Sequence, residues 1–372
     1  MRATRPDFIP PGSTFARGGL LFYVLLIVYA SLYPFSGWED IGISPFAYVM
    51  APMPHYWTMF DVLTNIAGYI PLGMLGVFAL YPRLNGYAAF LLVTLFGGLL
   101  AGTMEAIQIF LPSRVASNLD LLSNTGGALL GAAAGVLLTH VLMVRSRSQL
   151  MRRRWFFTDT SNILVMVAIW PLAQIYPQGY LFGHGQLTPI LSDWISKFNA
   201  MPIDLGDLMR KGEQLTVEQY WLSEAVITAC GLTGALLALL CVLRERAPKV
   251  LLVVLVFAAA VTVRALSTAL QFSPENAFAW LTPGAQGGLL LGMVMLSGLI
   301  FAPPVAQRRV AALTLFMSLV VVNLAPANPY FVATLQTWVQ GKFLNFNGAA
   351  QCLALVWPFF MLWFLLRLNK AR

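Results

Sequence analysis

The chain has 372 residues, of which 58% are hydrophobic and only 10% charged, with a mean hydropathy of +0.73 and a formal net charge of +8. That balance excludes a soluble globular domain and predicts a polytopic membrane protein, all α-helical. A hydrocarbon layer of ~30 Å needs about 20 consecutive apolar residues per helix, and runs of that kind occur about ten times.

In chain order the predicted spans cover residues 18–35, 60–81, 87–111, 119–144, 158–176, 220–243, 249–271, 283–302, 310–327 and 347–367. The first follows Arg17 and has no small-residue cleavage site before the next loop, so it is expected to stay as an anchor. Residues 18–144 form a four-helix membrane domain, followed by a basic loop at 145–157. Residues 158–302 form a second group of four spans with a large external loop at 177–219, and 310–367 a final helix pair.

Ten spans divide the loops into two sets. One set, with both chain ends, holds 17 of the 23 Lys and Arg residues; the other holds 5, and Arg264 lies within a span. Basic residues favour the cytoplasmic side, so both termini are expected there. The run RSRSQLMRRR reads as a positive stop facing anionic lipid, and no nucleic-acid partner is expected.

Polar groups recur at helical spacing within the first domain. Asp61, Asn65, Gly68 and Gly76 share a face of the second span. Glu105 and Gln108 sit three apart near the end of the third, with Ala101 and Gly97 continuing the stripe inward. Asp120, Asn124, Gly127, Gly131 and Gly135 line the fourth. The topology brings these polar ends to one leaflet, the external one, with Glu105 about 9 Å inside the end of its span at 1.5 Å per residue. A carboxylate in a spanning helix costs roughly 2.5–3.5 kcal/mol at the centre, so it faces protein or water. The glycines are read as close-packing positions. For the carboxylates two readings stand: a functional site, or a buried ion-pair cluster.

The ordered set Asn65-Ile66-Ala67-Gly68-Tyr69-Ile70-Pro71-Leu72-Gly73, Glu105-Ala106-Ile107-Gln108, Arg114, Asp120 and Asn124-Thr125-Gly126-Gly127 resembles the signature of the VanZ-like family. Leu32-Tyr33-Pro34-Phe35 also fits that family's opening helix, and the likeness covers roughly residues 20–140. The resemblance implies a role in the bacterial cell envelope, in a family named for an accessory protein of glycopeptide resistance that lowers susceptibility to teicoplanin. Family members are typically shorter, close to the first four or five spans.

The second group of spans echoes the first. Tyr176-Pro177 matches Tyr33-Pro34, Thr268-Ala269-Leu270-Gln271-Phe272 matches Glu105 to Phe110, and Gly287-Gly288 to Gly292 matches Gly126-Gly127 to Gly131. A degenerate parallel repeat of the first four spans in the fifth to eighth accounts for these echoes; chance matches in low-diversity membrane sequence are the alternative. Under that alignment Glu105, Asp120 and Asn124 become Thr268, Leu281 and Ala285. Arg264, about 10 Å inside its span, needs a partner: Glu224 as a structural pair, or Glu105 or Asp61 in a charged pocket across the repeats.

Residues 188–199 are predicted to form an amphipathic helix on the membrane surface, with Ile190, Leu191, Trp194, Ile195 and Phe198 on one side. The three cysteines, Cys230, Cys241 and Cys352, have no metal or disulfide spacing, and His55, His140 and His184 form no metal motif. No phosphate-binding loop is present, and neither cofactor nor metal is expected. Catalytic candidates are Glu105 and Asp120, as general bases. Substrate-binding candidates are Asp61, Asn65, Gln108, Arg114, Asn124, Arg264 and Gln271, the arginines suited to phosphate or carboxylate. The expected partner is a membrane lipid or lipid-linked envelope precursor. Secondary transport, or a scaffold held by ion pairs, is the alternative.

Overall fold

A computed structural model describes residues 14–33, 35–139, 154–157, 160–213, 215–326 and 344–368. Most of the basic loop at 145–157, together with Pro34, His140 and Lys342, lies outside the described residues. The chain is all-helical and forms two compact units, Met1–Arg153 and Arg154–Arg372. Among the described residues, eight helices are long and apolar enough to cross a membrane. The fifth and eighth of the ten expected spans are shorter: Ser161–Gln174 breaks into a 3-10 turn, and Pro283–Leu299 begins at a proline.

The first unit contains α1 (Thr14–Leu32), α2 (Ala47–Met50), α3 (Met59–Leu80), α4 (Gly86–Gln108) and α5 (Asn118–Thr139). Thr58 starts α3 through a capping box: its hydroxyl accepts from Asp61 N, and the Asp61 carboxylate accepts from Thr58 N. The core is the α3–α5 contact, and the glycines of α5 make it. A Cβ at Gly127 would stand 2.3 Å from Ile66 O, one at Gly131 2.0 Å from Ile70 O, and one at Gly135 3.2 Å from Met74 Cα. Gly126, one residue away, has nothing within 4 Å. Backbone-to-backbone approach of this kind is how membrane helices gain packing where lipid offers no hydrophobic driving force.

The second unit contains α6 (Ser161–Ile169) with its 3-10 continuation Trp170–Gln174, α7 (Thr188–Asn199), α8 (Leu205–Met209), α9 (Val217–Leu240), α10 (Lys249–Phe272), α11 (Pro283–Leu299), α12 (Pro304–Leu324) and α13 (Leu344–Arg367). Helix α9 is its axis, buried from Ile227 to Leu240 except at half-buried Cys230. It meets α11 as α3 meets α5: Gly284 lies on Trp221 O, Gly288 on Ala225 O and Gly292 on Ala229, while Gly287 has nothing within 4 Å.

Helix α10 is inside out by the rule for soluble proteins. It buries Arg264, Ser267, Thr268 and Gln271 and exposes Leu266 and Leu270, the latter at 64%. Only a surround of lipid makes that arrangement favourable.

The segment predicted as an external loop departs most from expectation. Residues 178–185, apart from half-buried Gly179, are buried without being helical. Thr228, about 16 Å along α9 at 1.5 Å per residue, donates to Leu181 O, and Gly231 lies against Phe182 O. Irregular backbone at such depth is tolerated only where protein satisfies it. Here Arg264 donates to Tyr176 O at 3.0 Å and Gln178 O at 2.9 Å, Ser267 and Gln271 donate to Ile175 O, and Asn323 accepts from Leu187 N and Thr188 N and donates to Gly185 O. His184, within the predicted external loop, is buried against Gln174 and Trp357. Its Nδ1 lies 3.0 Å from Phe182 O and its Nε2 2.9 Å from the Gln174 amide nitrogen, which fits a neutral ring that donates from Nδ1 and accepts at Nε2.

Helix α7 occupies the residues predicted for it. Trp194 is 67% exposed and Phe198 91%, whereas Ser192 and Ser196 turn inward and bond Leu205 N and Ile203 N. The apolar side thus faces outward and the serines tie α7 to α8.

Candidate functional site

The polar ends of α3, α4 and α5 meet at one end of the first unit. Asn65 Nδ2 donates to Asp120 Oδ1 at 2.9 Å. Glu105, only 3% exposed, accepts from Ser117 N at 2.8 Å through Oε2. Ser117 in turn caps α5, its hydroxyl accepting from Leu119 N and Asp120 N. Both carboxylates therefore stand at the N-terminus of α5, where unpaired amide hydrogens and the helix dipole favour negative charge. Asp120 feels the charge of Asp61 on one side, and Glu105 feels that of Asp120 on the other.

Helix α4 ends at Gln108 rather than Leu111, so Glu105 lies in its last turn, about 4.5 Å from the helix end and not 9 Å. The remaining candidates have other engagements. Asp61 is exposed and closes the α3 capping box, accepting from the Thr58 hydroxyl at 2.7 Å. Gln108 donates to Ser31 O at the end of α1. Arg114 donates to Tyr33 O at 2.9 Å and, more weakly, to Ala30 O at 3.5 Å. It lies in the connection between α4 and α5, where partial burial pulls its pKa below the usual arginine value.

A second layer lies one helical turn further in. Tyr69 follows Asn65 by four residues on α3, and Asn124 follows Asp120 by four on α5. They are 6% and 8% exposed. The Tyr69 hydroxyl and Asn124 Oδ1 are buried with no hydrogen-bond partner, and Tyr69 is near enough to Glu105 to feel its charge. Tyr48 Oη donates to Gly102 O one turn from Glu105, and Tyr23 Oη to Gly68 O one turn from Asn65. Sequence reasoning missed these tyrosines, although Tyr69 stands inside the Asn65–Gly73 motif at the spacing that marked Asn65.

Arg264 and Gln271 lie in the second unit. The Arg264 hydrogen bonds go to Tyr176 O and Gln178 O and not to Glu224, which corrects the expected structural pair: those carbonyls lie in the irregular segment just past the 3-10 turn that ends the fifth span at Gln174. Arg264 Nε and Gln271 Oε1 are buried without partners. Ion pairs found among the described residues, Lys197–Asp193 and Arg210–Asp207, are in the α7–α8 region. No group of three or more His, Cys, Asp and Glu with metal-site geometry occurs among the described residues.

Comparison with curated proteins and with solved structures gives no match. The VanZ/LLP1 family model matches residues 20–139. That interval starts in α1 and ends with α5, and it contains Asn65, Tyr69, Glu105, Asp120 and Asn124. The chain is thus a multi-pass membrane protein whose residues 20–139 match the VanZ/LLP1 family model.

Proposed function

We propose that the VanZ-like unit binds the polar head of an envelope amphiphile, a lipid or lipid-linked precursor, at the outer face of a bacterial cytoplasmic membrane. The observation that carries this is the pair of unpartnered buried atoms, Tyr69 Oη and Asn124 Oδ1, beneath the half-buried Asn65–Asp120 pair and beside Glu105. A buried polar group left without a partner costs about 1–3 kcal/mol, so the first unit bears a cost that a bound head would relieve. Asp61 stands apart as a helix cap. Glu105→Gln and Asp120→Asn, expressed in a deletion strain, are expected to reach wild-type membrane abundance and melting temperature yet fail to restore the wild-type envelope-lipid profile or teicoplanin tolerance. Restoration by both variants sinks this reading, and loss of the proteins from the membrane makes the carboxylates structural.

The orientation follows from the basic loops. In a background without Cys230, Cys241 and Cys352, cysteine at exposed Val115 should react with an impermeant maleimide in intact spheroplasts. Cysteine at Leu84 should react only after lysis. The reverse pattern would invert the topology.

We also infer that the second unit is a worn copy of the first. Gly127 on Ile66 and Gly131 on Ile70 correspond to Gly288 on Ala225 and Gly292 on Ala229, and the first of each pair stands beside an open glycine, Gly126 or Gly287. Gln108 and Gln271 both donate to a carbonyl at the close of the odd-numbered span before them. By these contacts Asn65 matches Glu224 and Tyr69 matches Thr228. Thr228 holds the buried loop through Leu181 O, whereas the Tyr69 hydroxyl is left without a partner. An experimental structure with α9, α10 and α11 arranged in the opposite hand to α3, α4 and α5 would end this reading.

A further inference from the structure

Resting on the proposed binding role of the first unit, we infer that the head it recognises carries a primary ammonium group. The atoms gathered at this site are chiefly acceptors. Asp120 contributes a carboxylate of which Oδ1 is engaged by Asn65, and Glu105 one of which Oε2 is engaged by Ser117 N. Asn124 contributes an orphaned carbonyl oxygen, 92% buried as a residue and one turn below Asp120. The Tyr69 hydroxyl, also orphaned, can accept or donate.

Two neighbouring carboxylates repel each other, and a buried carboxylate without compensating charge is costly. The α5 N-terminus supplies part of that compensation, with about half an elementary charge. A bound cation would add to that compensation, and Arg114 donates to the carbonyls of Tyr33 and Ala30.

An anionic head is therefore the wrong complement. A phosphate would meet Glu105 and Asp120 with like charge, contrary to the sequence-based expectation that arginine would hold phosphate here. No group of three or more His, Cys, Asp and Glu that could hold a metal ion occurs among the described residues. An R–NH3+ group offers three donors and one positive charge, which matches in number and sign the carboxylates of Asp120 and Glu105 and the Asn124 oxygen. Its source is either a lipid head such as ethanolamine or a water-soluble amine.

The test uses the full-length protein in detergent, with thermal unfolding as the readout. It is titrated with phosphatidylethanolamine, phosphatidylglycerol or free O-phosphoethanolamine. Phosphatidylethanolamine is expected to raise the melting temperature with at least tenfold higher apparent affinity than phosphatidylglycerol, and Glu105→Gln to abolish that preference. Tyr69→Phe removes an orphaned hydroxyl, so without lipid it should be at least as stable as wild type, which separates binding from folding. It should nevertheless bind phosphatidylethanolamine more weakly. Equal affinity for the two lipids, still dependent on Glu105, overturns the ammonium inference and leaves the binding site standing. Stabilisation by O-phosphoethanolamine equal to that by its lipid keeps the ammonium and replaces the lipid by a soluble amine. Loss of any dependence on Glu105 and Tyr69 overturns both the inference and the site.

Discussion

Alanine at Gly127 or Gly131 is expected to destabilise the protein sharply, while alanine at Gly126 leaves it intact. A Cβ at Gly131 would be 2.0 Å from Ile70 O and one at Gly127 2.3 Å from Ile66 O, both main-chain atoms that no rotamer change can move. The helices must separate, and overpacking of this sort costs about 1–3 kcal/mol, occasionally more. At Gly126 the new methyl meets open space, and helical alanine in place of glycine gains roughly 0.5–1 kcal/mol. The same contrast is expected between Gly288, 2.7 Å from Ala225 O, and Gly287, which has no neighbour within 4 Å. Thermal unfolding of the four alanine variants in detergent decides it. If Gly127→Ala melts with Gly126→Ala, α3 and α5 do not approach as described.

Arg264→Met should loosen the buried segment 175–188 without unfolding the first unit. The guanidinium bonds Tyr176 O and Gln178 O, and hydrogen bonds from a charged donor contribute about 1.5–3 kcal/mol each. Removing the cation also removes its own desolvation cost, so the net loss is smaller than the two bonds together. Arg264→Lys will not rescue fully, because an ammonium lacks the planar fork that reaches two carbonyls in fixed directions. Asn323→Leu should have a comparable effect, since it strips the partner from Leu187 N, Thr188 N and Gly185 O. Hydrogen exchange is the measurement: faster exchange confined to residues 175–188 is expected in both variants. Wild-type protection in Arg264→Met would show that the carbonyls of Tyr176 and Gln178 have other partners and that Arg264 has another role.

The contrast between the two units shows where sequence reading succeeds. Apolar runs of spanning length located the long helices, because lipid demands both length and hydrophobicity and tolerates few exceptions. The i, i+4 spacing of Asp120, Asn124 and the α5 glycines was legible for the same reason: a helix puts such residues on one face regardless of its partners. The ends were harder to place. Glu105 lies in the last turn of its helix because α4 stops at Gln108, a boundary that composition does not mark.

Sequence by itself determined that this is an all-helical membrane protein with a VanZ-like segment, and which residues of α3, α4 and α5 share a face. Tertiary structure decided what those residues do. It joined Asn65 to Asp120 and left the Tyr69 hydroxyl and Asn124 Oδ1 without hydrogen-bond partners, turned Arg114 to main-chain carbonyls, and folded 178–185 inward where a surface loop was expected. The physical reason is one of range. Helix periodicity and lipid solubility act within a few turns of chain, whereas the choice of hydrogen-bond partner for a buried side chain depends on atoms that are 55 residues away for Asn65 and 86 for Arg264.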